Sequence, residues 1–376
     1  MAGLYIHIPF CTNKCFYCDF YSGNQLYLLD AYVEALIREL KLRKSYLGSE
    51  AIQTIYFGGG TPSLLSSSQL YNILQAVHSI FVVESNCEVT IECNPENISE
   101  DYVNYLYNAG INRISLGIQF LDDKVLKDYN RKHDKELIYN ALDVINNSSF
   151  SNLSVDLIYA VPGISDHFLT WTLKQLLVFD IQHISAYSLT IAKNSQLYWK
   201  IKKGEFVETK ETSFLSQYQI INEYLTTSGF IQYEISNYAK DGFFSRHNLG
   251  YWNQTRYLGI GVSAHSYNLS SRQWNHTNIK KYIRDLSGVS PNIDFTIEEL
   301  TDNQIYNEYI ILKLRLLDGI SIDFVKNTFR KDIYDHFLKA ITSLGERNYF
   351  NFSGDLVIPK PGDLLVADYL SQFLMI

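Results

Sequence analysis

The chain of 376 residues lacks the features that mark several large classes of protein. It has no excess of basic residues, because 32 Lys and Arg stand against 40 Asp and Glu, which gives a formal net charge of −8. No clustered basic stripe offsets that balance. A protein that binds nucleic acid has to neutralise phosphates, so the acidic balance argues against a nucleic-acid surface. Methionine is scarce too, with two residues, which we interpret as compositional bias.

Signals for export and for membrane insertion are also lacking. The first three residues lead directly into a strand-like run, without the basic segment and the apolar core of a signal peptide. No run of about 18 apolar residues suggests a membrane span. We therefore expect a cytoplasmic protein without a transmembrane segment.

Cysteine is too rare and too unevenly placed for a disulfide framework. Three of the five cysteines, Cys11, Cys15 and Cys18, lie within eight positions, and the others are Cys87 and Cys93. Disulfide frameworks are typical of small secreted domains, so we expect reduced thiols in a chain of this length. Metal binding is the best interpretation of the clustered three. Cys87 and Cys93 are most simply small buried hydrophobes.

Strand-like and helical segments alternate along the first half of the chain and predict an α/β fold. The predicted strands are residues 4–8, 54–57, 89–93, 113–118, 153–159 and 183–189. Six strand–helix units with short links indicate a parallel sheet, whose apolar strands suit burial on both faces. A closed barrel usually needs eight such units, so six predict a partial (β/α)6 barrel of the TIM type.

The alternation ends after about residue 190, and we expect three regions. Residues 1–190 form the partial barrel, 191–290 an extension packed on it, and 291–376 a smaller, mainly helical domain of winged-helix type. In the extension we predict a strand over residues 230–236 and an irregular section over residues 246–261. The last region is predicted to contain a two-stranded ribbon that turns at residues 353–355.

The clustered cysteines follow the first predicted strand, as Cys11-x3-Cys15-x2-Cys18. They lie in a strand-to-helix loop, at the end of a parallel sheet where active sites form. Three thiolates can hold a four-iron cluster and leave one iron for a small chelating molecule. A zinc site is the alternative, and it needs a fourth ligand, for which His7 is available.

This spacing, with Tyr17 just before the last cysteine, resembles the radical S-adenosylmethionine (SAM) superfamily. The resemblance implies that Cys11, Cys15 and Cys18 hold a [4Fe-4S] cluster, and that the amino and carboxylate groups of SAM bind the open iron. It also implies that an electron from a donor, passed through the reduced cluster, cleaves SAM to methionine and a 5′-deoxyadenosyl radical. The cofactors then supply the chemistry, while the protein supplies ligands, orientation and exclusion of water.

The resemblance extends to the ends of later strands. Three glycines at residues 58–60 let backbone amides approach a charged ligand closely, and they resemble the motif that binds the methionine end of SAM. Further polar positions match the coproporphyrinogen III oxidase branch of the superfamily. The SAM-binding residues implied in this way are Tyr5, Tyr17, Gly59, Gly60, Thr61, Glu92, Gln119, Arg131 and Asp156. Singly, Glu92, Arg131 and Asp156 are better explained as a surface carboxylate, a salt-bridge partner and a buried hydrogen-bonding residue. Together they favour a SAM site.

Residues 246–252, Arg-His-Asn-Leu-Gly-Tyr-Trp, resemble the His-Asn-x-x-Tyr-Trp motif of haem chaperones in that branch. The motif implies haem bound by His247, Tyr251 and Trp252, because a neutral imidazole suits haem iron and aromatic rings suit a macrocycle. From residue types alone, a histidine hydrogen-bonded inside an irregular segment is the simpler interpretation. His265, near a glycine pair, is a second candidate that we leave out of the predicted haem site.

Two departures separate the chain from the oxidases of the branch. Phe20 stands where the oxidases carry a fourth cysteine, and only four residues precede Tyr5, where the oxidases have an extra segment. We therefore expect a haem chaperone that holds a [4Fe-4S] cluster, SAM and haem, and that delivers haem to an acceptor protein; enzymatic turnover stays open. The alternative is an oxygen-independent coproporphyrinogen III oxidase, which converts propionates to vinyls by radical decarboxylation.

Overall fold

Alternating strands and helices build the first half of the chain in the structure, a computed structural model that describes residues 2–376. The strands, β1 to β6, are Ala2–Ile8, Ile52–Gly59, Val83–Cys93, Arg113–Gln119, Leu153–Tyr159 and His183–Ser188. The helices, α1 to α6, are Leu29–Leu42, Ser67–Ile80, Glu100–Asn108, Asp123–Asp128, Lys135–Asn146 and Asp166–Leu176. Short 3₁₀ helices lie at Leu26–Leu28, Pro62–Leu64 and Pro95–Asn97.

The six strands pair in sequential order, and every neighbouring pair runs parallel. Their central residues are mostly buried on both faces, so most of these strands lack a strict alternation of polar and apolar residues. Strand β4 is buried along its whole length except at Gln119. The predicted α/β fold with a partial barrel of six strand–helix units is therefore confirmed.

Side-chain caps fix where several of these helices begin. At the start of α2 the Ser66 hydroxyl accepts a hydrogen bond from the Gln69 amide, and the Ser66 amide donates to the Gln69 side chain. At α3 the Ser99 hydroxyl accepts a hydrogen bond from the Tyr102 amide. Each cap satisfies amides that the first turn leaves unpaired and stabilises the helix by about 1 kcal/mol.

The following segment adds strands to both edges of the parallel sheet. Its strands, β7 to β12, are Ile231–Gln232, Asn237–Ala239, Arg256–Ile260, His265–Tyr267, Ser271–Asn275 and Phe295–Glu299. Its helices, α7 to α10, are Gln196–Lys202, Glu211–Thr227, Arg246–Trp252 and Ile279–Ser287. Strands β8 and β7 extend the sheet beyond β6, and β9 to β12 extend it beyond β1, which gives a sheet of 12 strands.

Two local predictions in this segment are wrong. The strand expected over residues 230–236 is interrupted, because the Glu234 carboxylate turns back to accept the Ser236 amide and only Ile231–Gln232 pairs. The section expected to be irregular begins with the helix α9. The Ser245 hydroxyl caps α9, and the Glu88 carboxylate on β3 accepts the amides at its first turn. Those acceptors stabilise the positive helix end from a distant strand, which local sequence does not reveal.

The remainder of the chain is mainly helical, as predicted. Its helices, α11 to α14, are Asp302–Lys313, Ile322–Thr328, Lys331–Glu346 and Ala367–Leu374, with a 3₁₀ helix at Pro361–Val366. Its strands, β13 to β15, are Ile320–Ser321, Phe350–Ser353 and Leu356–Pro359, and they form a separate antiparallel sheet. The predicted ribbon turn is present at Gly354, which has a φ of 62°.

These helices enclose a second hydrophobic core, distinct from the core around the large sheet. The region boundaries expected at residues 190 and 290 stay predictions. Among the described residues, no helix combines the length and the apolar character that a membrane span requires.

Candidate functional site

A cavity of about 590 Å³ lies at the carboxyl ends of the parallel strands, and we call it the strand-end cavity. Active sites of parallel α/β folds form at this edge of the sheet. Its walls include the three clustered cysteines and all the predicted SAM residues except Tyr5. Those SAM residues are Tyr17, Gly59, Gly60, Thr61, Glu92, Gln119, Arg131 and Asp156. The structure therefore brings together residues from six separate parts of the sequence, although their roles as ligands stay predictions.

The cysteine loop is tied at its base by backbone hydrogen bonds. The Cys11 amide donates to the Gly23 carbonyl at 3.0 Å, and the Gly23 amide donates to the Pro9 carbonyl at 2.8 Å. Farther along, the Asn13 side chain donates to the Asn130 carbonyl, and the Asn130 side chain donates to the Lys14 carbonyl, both at 2.8 Å. These two asparagines, which sequence reasoning missed, hold the loop against the segment after α4.

Two of the cysteine sulfurs already accept hydrogen bonds from the walls of the cavity. The Thr61 hydroxyl donates to the Cys11 sulfur at 3.6 Å, and the Arg131 guanidinium donates to the Cys15 sulfur at 3.4 Å. Burial raises the pKa of the Cys18 thiol to about 11, and the neighbouring Cys15 and Cys11 add to the rise. A metal that binds this sulfur has to displace its proton, as thiolate-binding metals do.

Among residues 2–376, no group of three or more His, Cys, Asp or Glu side chains is arranged to hold a metal ion. Thiolates that bind different irons of a cluster do not have to meet at one point. His7, the candidate fourth ligand for zinc, does not line this cavity. Its ring nitrogens are hydrogen-bonded to the Tyr5 hydroxyl and to the Tyr21 carbonyl.

Arg131 is the main cation beside the cysteines. Besides Cys15, its guanidinium donates to the Asn94 side chain at 3.1 Å and to the Gly117 carbonyl at 2.5 Å. Its Nε is buried and has no hydrogen-bond partner among the described residues. Buried donors are normally satisfied, so this N–H fits an acceptor from a ligand, such as a carboxylate. The donor set around the cavity thus fits a cluster with a bound SAM molecule.

The glycine run lets the first two strands approach each other. A side chain at Gly60 would place its Cβ 2.6 Å from the Phe10 carbonyl oxygen, and one at Gly59 would meet the His7 ring at 2.5 Å. Gly59 also has a φ of 113°, which side chains rarely allow. The two glycines are therefore required by the close packing at this strand end, whether or not they also contact SAM.

Two carboxylates face each other across the floor of the strand-end cavity. Glu92 accepts hydrogen bonds from the Tyr56 hydroxyl at 2.9 Å and from the Gly59 amide at 3.1 Å. Asp156 accepts from the Ser115 hydroxyl at 3.1 Å. Burial and, to a lesser extent, the charge of Asp156 raise the pKa of Glu92 to about 7. Burial raises the pKa of Asp156 as well. Glu92 thus places on the floor a carboxyl group that exchanges its proton near neutral pH.

Gln119 occupies a strained backbone position at the end of β4. Its φ of 62° lies in the left-handed region, which is uncommon outside glycine and asparagine. The pairing of β4 with β5 shifts register between Gly117 and Gln119 at the same place. Such strain is concentrated at functional sites, and here it accompanies a side chain on the cavity wall.

Tyr5 lines a different cavity, of about 600 Å³, which we call the lateral cavity. It lies beside β1, between the added strands β9 to β11 and helix α11. Its walls include Tyr5, His7, Tyr21, Tyr251, Tyr257, His265, Tyr267 and Arg272. Asp19 and Phe20 line both cavities, and Phe20 is 65% exposed. Sequence reasoning did not foresee this cavity.

His247 does not line either large cavity but borders a smaller one of about 190 Å³. It is 2% exposed, and its Nδ1 and Nε2 share hydrogen bonds with the hydroxyls of Thr54 at 2.8 Å and Tyr251 at 2.9 Å. Burial lowers the pKa of His247 to about 3, with a smaller effect from Arg113. The ring is therefore neutral, and both of its nitrogens are engaged in this conformation.

The other two residues of the predicted haem motif are separated. Trp252 is partly buried beneath the Arg315 guanidinium, which lies 5.9 Å from the ring centroid. Tyr251 reaches the lateral cavity, where its ring packs edge-on against Tyr257 at 4.7 Å. The haem roles of these three residues stay predictions, and the structure connects the motif to a large cavity through Tyr251.

Comparisons with known proteins agree with this architecture. The model of the radical SAM superfamily matches residues 5–176. The solved coproporphyrinogen III oxidase HemN of Escherichia coli, a radical SAM enzyme, has a TM-score of 0.85 at 22% identity, over 100% of this chain and 90% of its own. That likeness shows the fold.

Two relatives found by sequence are more similar to this chain than HemN is. The heme chaperone HemW of Mycobacterium tuberculosis (strain H37Rv) is 34% identical over 325 residues, which cover 85% of this chain and 83% of the relative. The heme chaperone HemW of Bacillus subtilis is 31% identical over 380 residues, which cover 100% of this chain and 99% of the relative. The chain therefore belongs to the HemW family of the radical SAM superfamily.

Proposed function

We propose that this protein binds haem and delivers it to an acceptor protein, while a [4Fe-4S] cluster and SAM occupy the strand-end cavity. The observation that carries this proposal is the similarity along the whole chain to a relative described as a heme chaperone. The oxidase alternative has weaker support, because the likeness to HemN at 22% identity is one of fold. An electron donor for the cluster and a cytoplasmic location remain part of the proposal.

Membership of the radical SAM superfamily implies a [4Fe-4S] cluster and SAM. We propose that Cys11, Cys15 and Cys18 hold the cluster. When bound, a reduced cluster of this kind supplies an electron to SAM. The Arg131 guanidinium, already on the Cys15 sulfur, orients that cysteine and adds positive charge beside the cluster.

The carboxylates on the cavity floor are suited to the nucleoside end of SAM. Glu92 has acceptor oxygens that can exchange the Tyr56 hydroxyl for ribose hydroxyls, which are donors of the same kind. The close packing that Gly59 and Gly60 allow keeps the ends of β1 and β2 together beside the cysteine loop.

The test is an anaerobic titration of cluster-loaded protein with haem. We expect a Soret shift that saturates at one haem per chain, followed by transfer of haem to an apo-acceptor such as an apo-cytochrome. The absence of any Soret change would overturn the proposal. An assay with coproporphyrinogen III, SAM and a reductant tests the alternative, because formation of protoporphyrinogen would establish the oxidase instead.

A further inference from the structure

The lateral cavity has the size and the lining of a small-molecule site. Its volume of about 600 Å³ falls within the range of about 300–1,000 Å³ that is usual for such sites. Aromatic rings dominate the walls, among them Phe20, Tyr251, Tyr257 and Tyr267, and Leu312 of α11 adds an aliphatic surface. A flat, largely apolar ligand suits walls of this kind.

One cation lies among these rings. Arg272 on β11 is paired with Glu308 on α11, and both line the lateral cavity. The Nε of Arg272 is buried and has no hydrogen-bond partner within residues 2–376. An unsatisfied guanidinium N–H on a cavity wall is suited to a carboxylate of a ligand. The cavity therefore fits a flat molecule that carries an acid group.

His265 supplies a potential metal ligand in the same cavity. Neither of its ring nitrogens has a hydrogen-bond partner among the described residues, whereas the other cavity histidine, His7, has both engaged. The imidazole of His265 lies parallel to the Trp274 ring, at 5.9 Å between centroids and 23° between planes. His265 and Trp274 are directly paired between β10 and β11, so strand pairing fixes the backbone that carries the imidazole.

The backbone at His265 is also held against β9. A side chain at Gly259 would place its Cβ 2.0 Å from the His265 carbonyl oxygen, so glycine is required there. The Ser266 hydroxyl accepts a hydrogen bond from the Gly259 amide at 3.0 Å. A metal ligand on packed strands is positioned more accurately than one on a loop.

We propose that haem binds in the lateral cavity, with His265 as the iron ligand and Arg272 as the partner of a propionate. This inference rests on the proposed haem-chaperone function and names its site. His247 then acts as a positioning residue, because its hydrogen bond to the Tyr251 hydroxyl fixes one wall of the cavity. The haem would lie next to the strand-end cavity, across Asp19 and Phe20.

The experiment compares three single variants of the full chain, cluster-loaded and titrated with ferric haem. His265→Ala should lower the affinity for haem about tenfold or more and remove the spectral signature of histidine ligation. His247→Ala should keep the signature. His78→Ala, on the exposed face of α2, is the matched control and should behave as wild type.

A second comparison tests the propionate contact. Arg272→Gln should weaken the binding of haem about tenfold and leave the binding of haem dimethyl ester unchanged, because the ester has no carboxylate. Equal weakening of both ligands would show that Arg272 only shapes the cavity.

The outcomes separate this inference from the proposed function. If wild-type protein shows no Soret change, the haem-chaperone function is wrong. If wild type binds haem but His265→Ala keeps both affinity and signature, the function stands and the lateral site is wrong. If His247→Ala alone removes the histidine signature, the iron ligand is His247.

Discussion

The strand-end cavity and the lateral cavity are neighbours of similar volume, yet they offer different chemistry. The first gathers three thiols, the buried carboxyl groups of Glu92 and Asp156, and the Arg131 guanidinium. The second gathers aromatic rings, Arg272 and a histidine whose ring nitrogens have no partner among the described residues. A cluster with a charged nucleoside fits the first, and a macrocycle fits the second. Under the proposed function, cofactor and cargo would occupy separate surfaces that meet at Asp19 and Phe20.

The largest expected effect is on cluster content, and it should affect the strand-end cavity without affecting the lateral cavity. Cys15→Ala should abolish the cluster, because the loss of one of the three protein ligands leaves two irons without a protein ligand. Iron and acid-labile sulfide per chain measure this loss after anaerobic reconstitution. Haem affinity of the same variant should stay within about twofold of wild type, since Cys15 does not line the lateral cavity.

Cys87→Ala is the control for that experiment. Cys87 is buried on β3 and does not line the strand-end cavity, so its variant should load a normal cluster. A wild-type iron content in Cys15→Ala would contradict the ligand assignment. A parallel loss of haem binding would show that the two cavities do not act separately.

Arg131→Gln should weaken SAM binding to the cluster-loaded protein by about ten- to a hundredfold. The reason is the loss of a buried charged donor whose Nε has no partner in the described part of the chain. Lys132→Gln, an exposed neighbour, provides the control with the same change of charge. Calorimetric titration with SAM measures both, and equal affinities in the two variants would remove Arg131 from the SAM site.

The raised pKa of Glu92, on the floor of the strand-end cavity, predicts that the stability of the protein depends on pH. The pKa of Glu92 is about 7 in the folded protein, above its ordinary value of 4.5, so folding favours the protonated form. Its stabilising effect is fully present below about pH 4.5 and is lost as the pH rises through 7. Relative to Glu92→Gln, the wild-type free energy of unfolding should fall by at most about 3 kcal/mol between pH 5 and 8.

Urea unfolding of the cluster-free protein at several pH values measures that difference. Glu100→Gln, which changes an exposed carboxyl group at the start of α3, should keep the wild-type pH dependence. If the difference in free energy of unfolding between wild type and Glu92→Gln is constant across this pH range, Glu92 is not protonated on folding.

The smallest expected effect concerns the residue that links the haem motif to the lateral cavity. Tyr251→Phe should lower the free energy of unfolding by about 1–2 kcal/mol, because it leaves the buried His247 Nε2 without its hydrogen bond. Tyr257→Phe removes a hydroxyl from the same cavity and should change stability less, since no hydrogen bond of that hydroxyl is found among the described residues. Chemical denaturation compares the two.

The same Tyr251→Phe variant distinguishes the two candidate iron ligands. If His265 holds the iron, haem affinity should stay the same or fall, because the cavity wall at Tyr251 is no longer fixed, whereas a histidine at position 247 with a freed nitrogen should bind haem more tightly. Tighter binding in Tyr251→Phe would therefore count against the lateral site.

Sequence reasoning succeeded where the signal is local. The alternation of strand-like and helical segments predicted the parallel sheet, and the spacing of the cysteines marked the loop. Residues at the ends of parallel strands converge on one edge, so Glu92 and Asp156 could be expected near Cys11.

It failed where the structure depends on distant contacts. The helix α9 begins where the Glu88 carboxylate receives its first amides, and 158 positions separate Glu88 from Arg246. His247 is engaged by Thr54 from β2 as well as by its own neighbour Tyr251. The lateral cavity is assembled from residues between Tyr5 and Leu312, and no spacing in the sequence links them. A histidine in a motif indicates importance, but only its neighbours show whether a nitrogen is free.

The ties at the base of the cysteine loop have a consequence for maturation. The bonds between Cys11, Gly23 and Pro9 use backbone atoms alone, and none of them depends on a cysteine sulfur. Loss of the proposed cluster, for instance in air, would therefore leave these ties and the pairing of strand β1 in place. A chain stripped of iron would then keep the base of the loop ready for a new cluster.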